Sequence, residues 1–160
     1  MKTHFKLSVV AVSLILSISA CNFGNEGIQG EWSDFSYTVG SEDEERTTQS
    51  RVLVENSSYR TYRGRIQFEV DWKAINTGKE PQSYTWGNKA LMDSEGRIFQ
   101  PYEGEYAEAI QPLDESYTLS IRYNLPGVVN VDELYWGLYH GDPNEGLKYK
   151  VKLTPENREN

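Results

Sequence analysis

Ile66, Phe68, Val70, Trp72 and Ala74 alternate with Arg65, Gln67, Glu69, Asp71 and Lys73. A period of two sustained over that stretch describes a strand with one buried face and one wet face. Asn76-Thr-Gly-Lys-Glu-Pro81 supplies turn chemistry at its end. The alternation returns with Leu119, Ile121, Tyr123 and Leu125 against Ser120, Arg122 and Asn124, until Pro126-Gly127 stops it. A third run sets Leu147, Tyr149, Val151 and Leu153 against Lys148, Lys150 and Lys152. Three lysines on the outer face of that strand read as a guard against edge-to-edge pairing.

Shorter segments fill the gaps. Trp32, Phe35, Tyr37 and Val39 predict a first strand, and Arg51 to Val54 a second. Tyr84-Thr-Trp86 continues the pattern after the turn. Lys89 to Met92 and Arg97 to Gln100 predict a hairpin around Asp93-Ser-Glu-Gly96, where an aspartate braces the turn and glycine accepts positive φ. Residues 105–110 fit either one helical turn or a wandering loop. Leu134 to Tyr139 is a denser apolar run, consistent with a central strand. Seven to nine short strands, turn signals between them and no convincing helix predict an all-β fold, an antiparallel immunoglobulin-like β-sandwich over 32–154. Trp72 is in phase with Ile66, Phe68 and Val70, and Trp136 lies in the dense run, so both are expected in the core.

The first twenty residues lie outside this pattern. Lys2, His4 and Lys6 form a charged start, Leu7 to Ile18 is almost unbroken apolar sequence, and Ser19-Ala20 is a small-residue cleavage site. Residues 1–20 therefore read as a cleaved signal peptide. Ile18-Ser19-Ala20-Cys21 resembles the lipobox of bacterial lipoproteins, which implies a diacylglyceryl group on the thiol of Cys21, the one cysteine of the chain. One acyl chain binds a bilayer only marginally, at about 0.8 kcal/mol per buried methylene, whereas two or more hold stably. The expectation is a lipid anchor on the extracytoplasmic side of an outer or plasma membrane. Residues 21–31, with three glycines, read as a flexible tether, and 155–160 as a disordered tail.

Charge narrows the partners. The chain has 16 Lys and Arg against 24 Asp and Glu, a net charge of −8; removal of residues 1–20 takes Lys2 and Lys6 and no acid, leaving −10. Such a chain repels the phosphate backbone of nucleic acid and the headgroups of anionic lipid. With Cys21 lipidated, no disulfide is available, and the fold must hold by burial.

Three stretches together resemble DUF4352, a family of bacterial secreted and lipid-anchored proteins with a telokin-like, immunoglobulin-like sandwich. They are the strand and turn from Ile66 to Pro81, the Leu91-Met-Asp-Ser-Glu-Gly-Arg97 segment, and Pro112-Leu-Asp-Glu-Ser116 leading into Leu119 to Pro126. The chain departs from that pattern at Leu113, where the family usually places glycine, and in its acidic loop at 42–45. The resemblance implies an extracytoplasmic, non-enzymatic domain and brings no catalytic residues with it.

The residues themselves point the same way. Beyond the signal peptide His140 is the one imidazole, and it reads as a hydrogen-bonded loop residue before Gly141-Asp142-Pro143. No Gly-x-Ser-x-Gly elbow and no phosphate-cradling glycine loop is present. One histidine without cysteine does not make a structural zinc site. Asp93-Ser-Glu-Gly resembles the start of a calcium loop, but Arg97 and Gly104 stand where oxygen ligands are needed, so a plain turn is expected. Glu42-Asp-Glu-Glu45 could gather a loose cation, although solvated acids are the simpler reading. Asp114 and Glu115 are adjacent and point to opposite sides, which does not suit paired-carboxylate chemistry. No catalytic residue, metal or cofactor is expected. Tyr84 and Trp86 share a face beside the turn and are the candidate contact residues, stacking on a sugar, forming a protein hot spot or covering the edge of the core. The leading expectation is a non-catalytic module contacting another envelope protein, the alternative a carbohydrate-binding module, and the weakest an enzyme.

Overall fold

The computed structural model describes residues 25–39, 46–139 and 141–159. Cys21, the signal peptide, the acidic loop at 42–45 and His140 lie outside the described residues. The strands are β1 (Asn25–Ile28), β2 (Trp32–Val39), β3 (Arg46–Tyr62), β4 (Arg65–Asn76), β5 (Gln82–Tyr84), β6 (Lys89–Met92), β7 (Ile98–Phe99), β8 (Glu103–Gly104), β9 (Ala107–Ile110), β10 (Leu119–Pro126), β11 (Tyr135–Leu138), β12 (Tyr149–Lys152) and β13 (Glu156–Asn157). One sheet runs β1-β12-β11-β6-β7, the other β13-β3-β4-β10-β8 with β2 also on β3, and β5 and β9 form a separate ribbon. The two main sheets make a β-sandwich. Its strands exceed the seven to nine expected because several are two-residue pieces along sheet edges.

The long alternation does what its period dictates. Strand β4 lies antiparallel to β10, with Phe68 opposite Tyr123, Val70 opposite Ile121 and Trp72 opposite Leu119, all buried. Trp72 also meets Trp136 of β11 across the sandwich, ring centroids 5.4 Å apart. The Trp136 Nε1–H donates to the Tyr123 hydroxyl at 3.0 Å, which ties the two sheets through a buried polar pair. Burial pushes the Tyr123 phenol up, so it stays protonated.

Strand β3 is far longer than the four residues expected from Arg51 to Val54. It makes a hairpin with β4 through Arg63-Gly64, both at positive φ, the two-residue turn whose twist suits antiparallel strands. A bulge at Glu55 shifts its phase. Before the bulge Val52 and Val54 oppose the inward Ala74 and Trp72; after it Ser57 and Tyr59 oppose the inward Val70 and Phe68.

Four other expectations change. Part of the tether, Asn25–Ile28, is strand β1, parallel to β12 and joined by a Glu26–Lys150 ion pair of 3.5 Å. That pairing satisfies the edge of β12, so β12 is not an edge strand. Its Lys150 and Lys152 lie over the Tyr135 ring at 4.5 and 4.8 Å rather than standing guard. Part of the tail is strand β13, parallel to β3, and the Arg158 N–H donates to the Tyr59 carbonyl at 2.8 Å. Residues 107–110 are strand rather than a helical turn, because β5 offers them a partner.

Candidate functional site

The bulge in β3 places Ser58 and Arg60 on the outer face of the larger sheet, beside Glu69 and Gln67 of β4. Arg122 of β10 pairs with Glu69 on the other side, and Glu103 of β8 pairs with Arg122. Strand β13 then carries Arg158 in from the far edge. A cleft of about 510 Å³ opens there, lined by Ser58, Arg60, Glu69, Tyr102, Arg122 and Arg158 among others. Ligand sites commonly span about 300–1,000 Å³.

Glu69 is the anchor of this face. It accepts from Arg122 Nε at 2.8 Å and lies 3.3 Å from Arg158 Nη1. Burial pushes its carboxyl up, but the two guanidiniums outweigh that and hold it below the usual carboxylate range. Arg122 uses a second nitrogen on Glu103 at 3.0 Å. Arg60 differs: its Nε donates to the neutral Gln67 Oε1 at 2.6 Å, and among the described residues it has no carboxylate partner. Among the described residues three guanidiniums and one carboxylate, Glu69, line the cleft, with Glu103 pairing Arg122 beside it, in a chain whose overall charge is strongly negative. Tyr102, half exposed, supplies an aromatic face beside them. Arginine and tyrosine are among the residue types that carry contact energy at interfaces.

The Tyr84 and Trp86 pair is not an exposed platform. Tyr84 is buried, edge-on to Trp72 with centroids 6.2 Å apart, and its hydroxyl lies 2.9 Å from Ser50 Oγ. Trp86 is half-buried against Gly104; a Cβ there would stand 2.5 Å from its Cγ. Tyr84 belongs to the core and Trp86 packs against it, so the edge-covering alternative describes them. Asp93 is a turn residue as expected. Its Oδ1 accepts from the Glu95 and Arg97 N–H groups at 3.1 and 2.8 Å, and its Oδ2 from Arg97 Nε at 2.6 Å. Asp114 and Glu115 do not converge on a cleft: Glu115 pairs with Lys73 at 2.8 Å, and Lys73 also holds Glu55 at 3.0 Å. Among the described residues no cluster of three or more metal-ligating side chains occurs.

One residue with unusual surroundings was not anticipated. Lys89 opens β6 opposite Leu138, in the same phase as the inward Leu91 and Trp136. Its side chain therefore enters the sandwich, where it is 5% exposed. The ammonium lies 4.8 Å from the Trp72 ring centre, donates to Asn88 Oδ1 at 2.9 Å, and reaches the Thr85 carbonyl. Burial brings it down to about 7. The only sequence sign is a lysine two positions before a core leucine, a spacing that exposed strand faces share.

No protein-family model matches this chain. No curated protein matches it either. Among solved structures it is similar to an uncharacterized beta-sandwich protein from Clostridium difficile 630, at 13% identity and a TM-score of 0.46, over 81% of this chain and 94% of that one.

Proposed function

We propose that the chain is a lipid-anchored, extracytoplasmic binding module that contacts another protein of the cell envelope through the arginine-lined cleft. The observation that carries this reading is Arg60, a cleft guanidinium whose one side-chain partner among the described residues is a neutral amide, which leaves it open to an acidic or carbonyl-rich segment. The reading is non-catalytic. Anchorage rests on the lipobox-like Ile18 to Cys21, and the likeness to DUF4352 on turns at Asn76 and Asp93 whose side chains brace the backbone here. The test places a photo-crosslinking residue at Gln67, on the cleft floor, in intact cells. One envelope protein should be captured, and Arg60→Glu should abolish capture while thermal unfolding is unchanged. Capture that survives Arg60→Glu overturns the cleft as the contact surface. In the same cells Cys21→Ser should remove fatty-acid labelling and membrane partitioning; retention of both overturns the anchor.

Carbohydrate binding is the second reading, and the exposed Tyr102 ring at the cleft favours it. It predicts that purified protein binds cell-wall oligosaccharide and that Tyr102→Ala removes the binding.

A further inference from the structure

Strand β3 is longer than the neighbour that covers its outer edge. Strand β2 pairs with it from Arg46 to Leu53 and no further, because the chain ahead of β2 turns away as β1 and joins β12 in the other sheet. The Gly30 N–H still donates to the Val54 carbonyl at 2.9 Å, at the point of parting. Past the bulge, the edge from Ser57 to Thr61 has the form in which a sheet recruits another strand. What lies along it is the chain's own segment 155–159. Glu156 sits beside Ser58 and Asn157 beside Tyr59 in parallel register. The Arg158 N–H donates to the Tyr59 carbonyl at 2.8 Å, and the Thr61 N–H donates to the Glu159 carboxylate.

That cover is held without a hydrophobic anchor. Among the described residues Leu153 is the last buried one, and no side chain from 155 to 159 is buried. The Arg158 guanidinium lies 3.3 Å from Glu69, a carboxylate that Arg122 holds at the shorter distance of 2.8 Å. Release of the segment therefore uncovers no apolar surface of its own and leaves Glu69 with a guanidinium. Segments with few buried apolar contacts are the ones that open locally with little free energy.

We propose that the edge of β3 from Ser57 to Thr61 is a strand-addition site, filled here by residues 155–159, and that its external ligand is an extended segment of a partner protein carrying an arginine followed by a carboxylate. Main-chain hydrogen bonds give such a site its affinity, and alternate side chains give it specificity. The resident segment shows which side chains these are. Along a strand only every other residue reaches one face. Arg158 reaches the cleft, where Arg60 also lies, and meets Glu69; the residue after it sets a carboxylate on the Thr61 N–H. A guanidinium suits that place because its N–H donors lie in a fixed plane and stay charged. The inference rests on the partner being a protein and deepens that reading: the partner adds a strand along the rim of the cleft, and residues 155–159 compete with it for one edge.

The test compares the full chain with Arg158→Pro, which removes the N–H given to Tyr59 and the guanidinium given to Glu69 and leaves Leu153 in place. The probe is a synthetic peptide of residues 154–160, followed by ¹⁵N NMR at the Thr61 amide. In Arg158→Pro that amide should exchange on the order of fivefold faster than in the parent, the effect of losing about one hydrogen bond. Added peptide should shift the Thr61 resonance of the variant and restore the slower exchange, and the peptide bearing Arg158→Glu should do neither. The parent, its edge already filled in cis, should need at least roughly tenfold more peptide for the same shift. Equal Thr61 exchange in the two proteins, no response of the variant to the peptide, or equal responses to the two peptides or by the two proteins would each overturn the proposal. Capture at Gln67 reports on the cleft alone. An unresponsive Thr61 with capture intact sinks the strand site only, and a responsive Thr61 without capture supports the strand site and sinks the cleft reading only.

Discussion

Replacing Lys89 with methionine removes the charge and keeps an unbranched chain of similar length, suited to an irregular apolar gap. The magnitude follows from the depression of the Lys89 amine from 10.5 to about 7. At 1.36 kcal/mol per unit, protonating it in the fold costs about 5 kcal/mol more than in the unfolded chain. The Trp72 face, 4.8 Å away, returns about 2 kcal/mol at most. The sign is opposite to that of a salt-bridged lysine. Between about pH 7 and 10.5 the unfolded chain binds more protons than the folded one, so stability rises with pH across that window. Among the described residues, Tyr84 is the one other titratable side chain lining the cavity of about 40 Å³ beside Lys89. Urea unfolding should show the parent gaining about 2 kcal/mol from pH 7 to pH 9. Lys89→Met should be the more stable protein at pH 6, by about 3 kcal/mol, with the gap closing above pH 9. A flat parent curve together with a less stable variant at pH 6 would mean that the Trp72 face and the two acceptors hold the charge, and would refute the reasoning.

Gly137→Ala should lower stability by more than about 2 kcal/mol, measured by the same unfolding curves, because a Cβ would stand 1.9 Å from the Tyr149 carbonyl oxygen of the adjacent strand and rigid backbone must part to admit it. An unchanged midpoint would show β11 and β12 further apart than described. Glu69 is held below the usual carboxylate range, so its contribution is present above about pH 4.5 and is lost as pH falls through its folded value. Glu69→Gln should lower the melting temperature at pH 7 and flatten the decline toward pH 3; a parallel shift at every pH would assign Glu69 a packing role instead.

Strands β4 and β10 were legible because one buried face and one wet face write themselves as a period of two. Strand β3 was not, because the bulge at Glu55 joins two runs out of phase, and its inward residues after the bulge include Ser57, a polar type. Strand β1 carries Gly27 at a position where a Cβ would stand 2.3 Å from Ser33 Oγ, so its role is backbone pairing, which leaves no hydrophobic trace. The cleft escaped for a related reason: Arg60, Glu69, Arg122 and Arg158 are ordinary wet-face residues until register sets them side by side. Tyr84 is legible as an aromatic beside the turn, but its inward direction is set by contacts with Trp72 and Ser50 from distant strands. Lys89 inverts the usual meaning of its residue type, since an inward lysine has the spacing of an outward one.

Strand β1 also fixes the radius of action of the domain. Under the proposed anchor at Cys21, strand β1 begins four residues on, at Asn25. Those four steps extend to about 14 Å at most. A domain so held does not search the depth of the envelope for its partner. It patrols a layer about as thick as itself against the bilayer, and whatever enters the arginine cleft must come to that layer, either embedded in the same membrane or lying upon it.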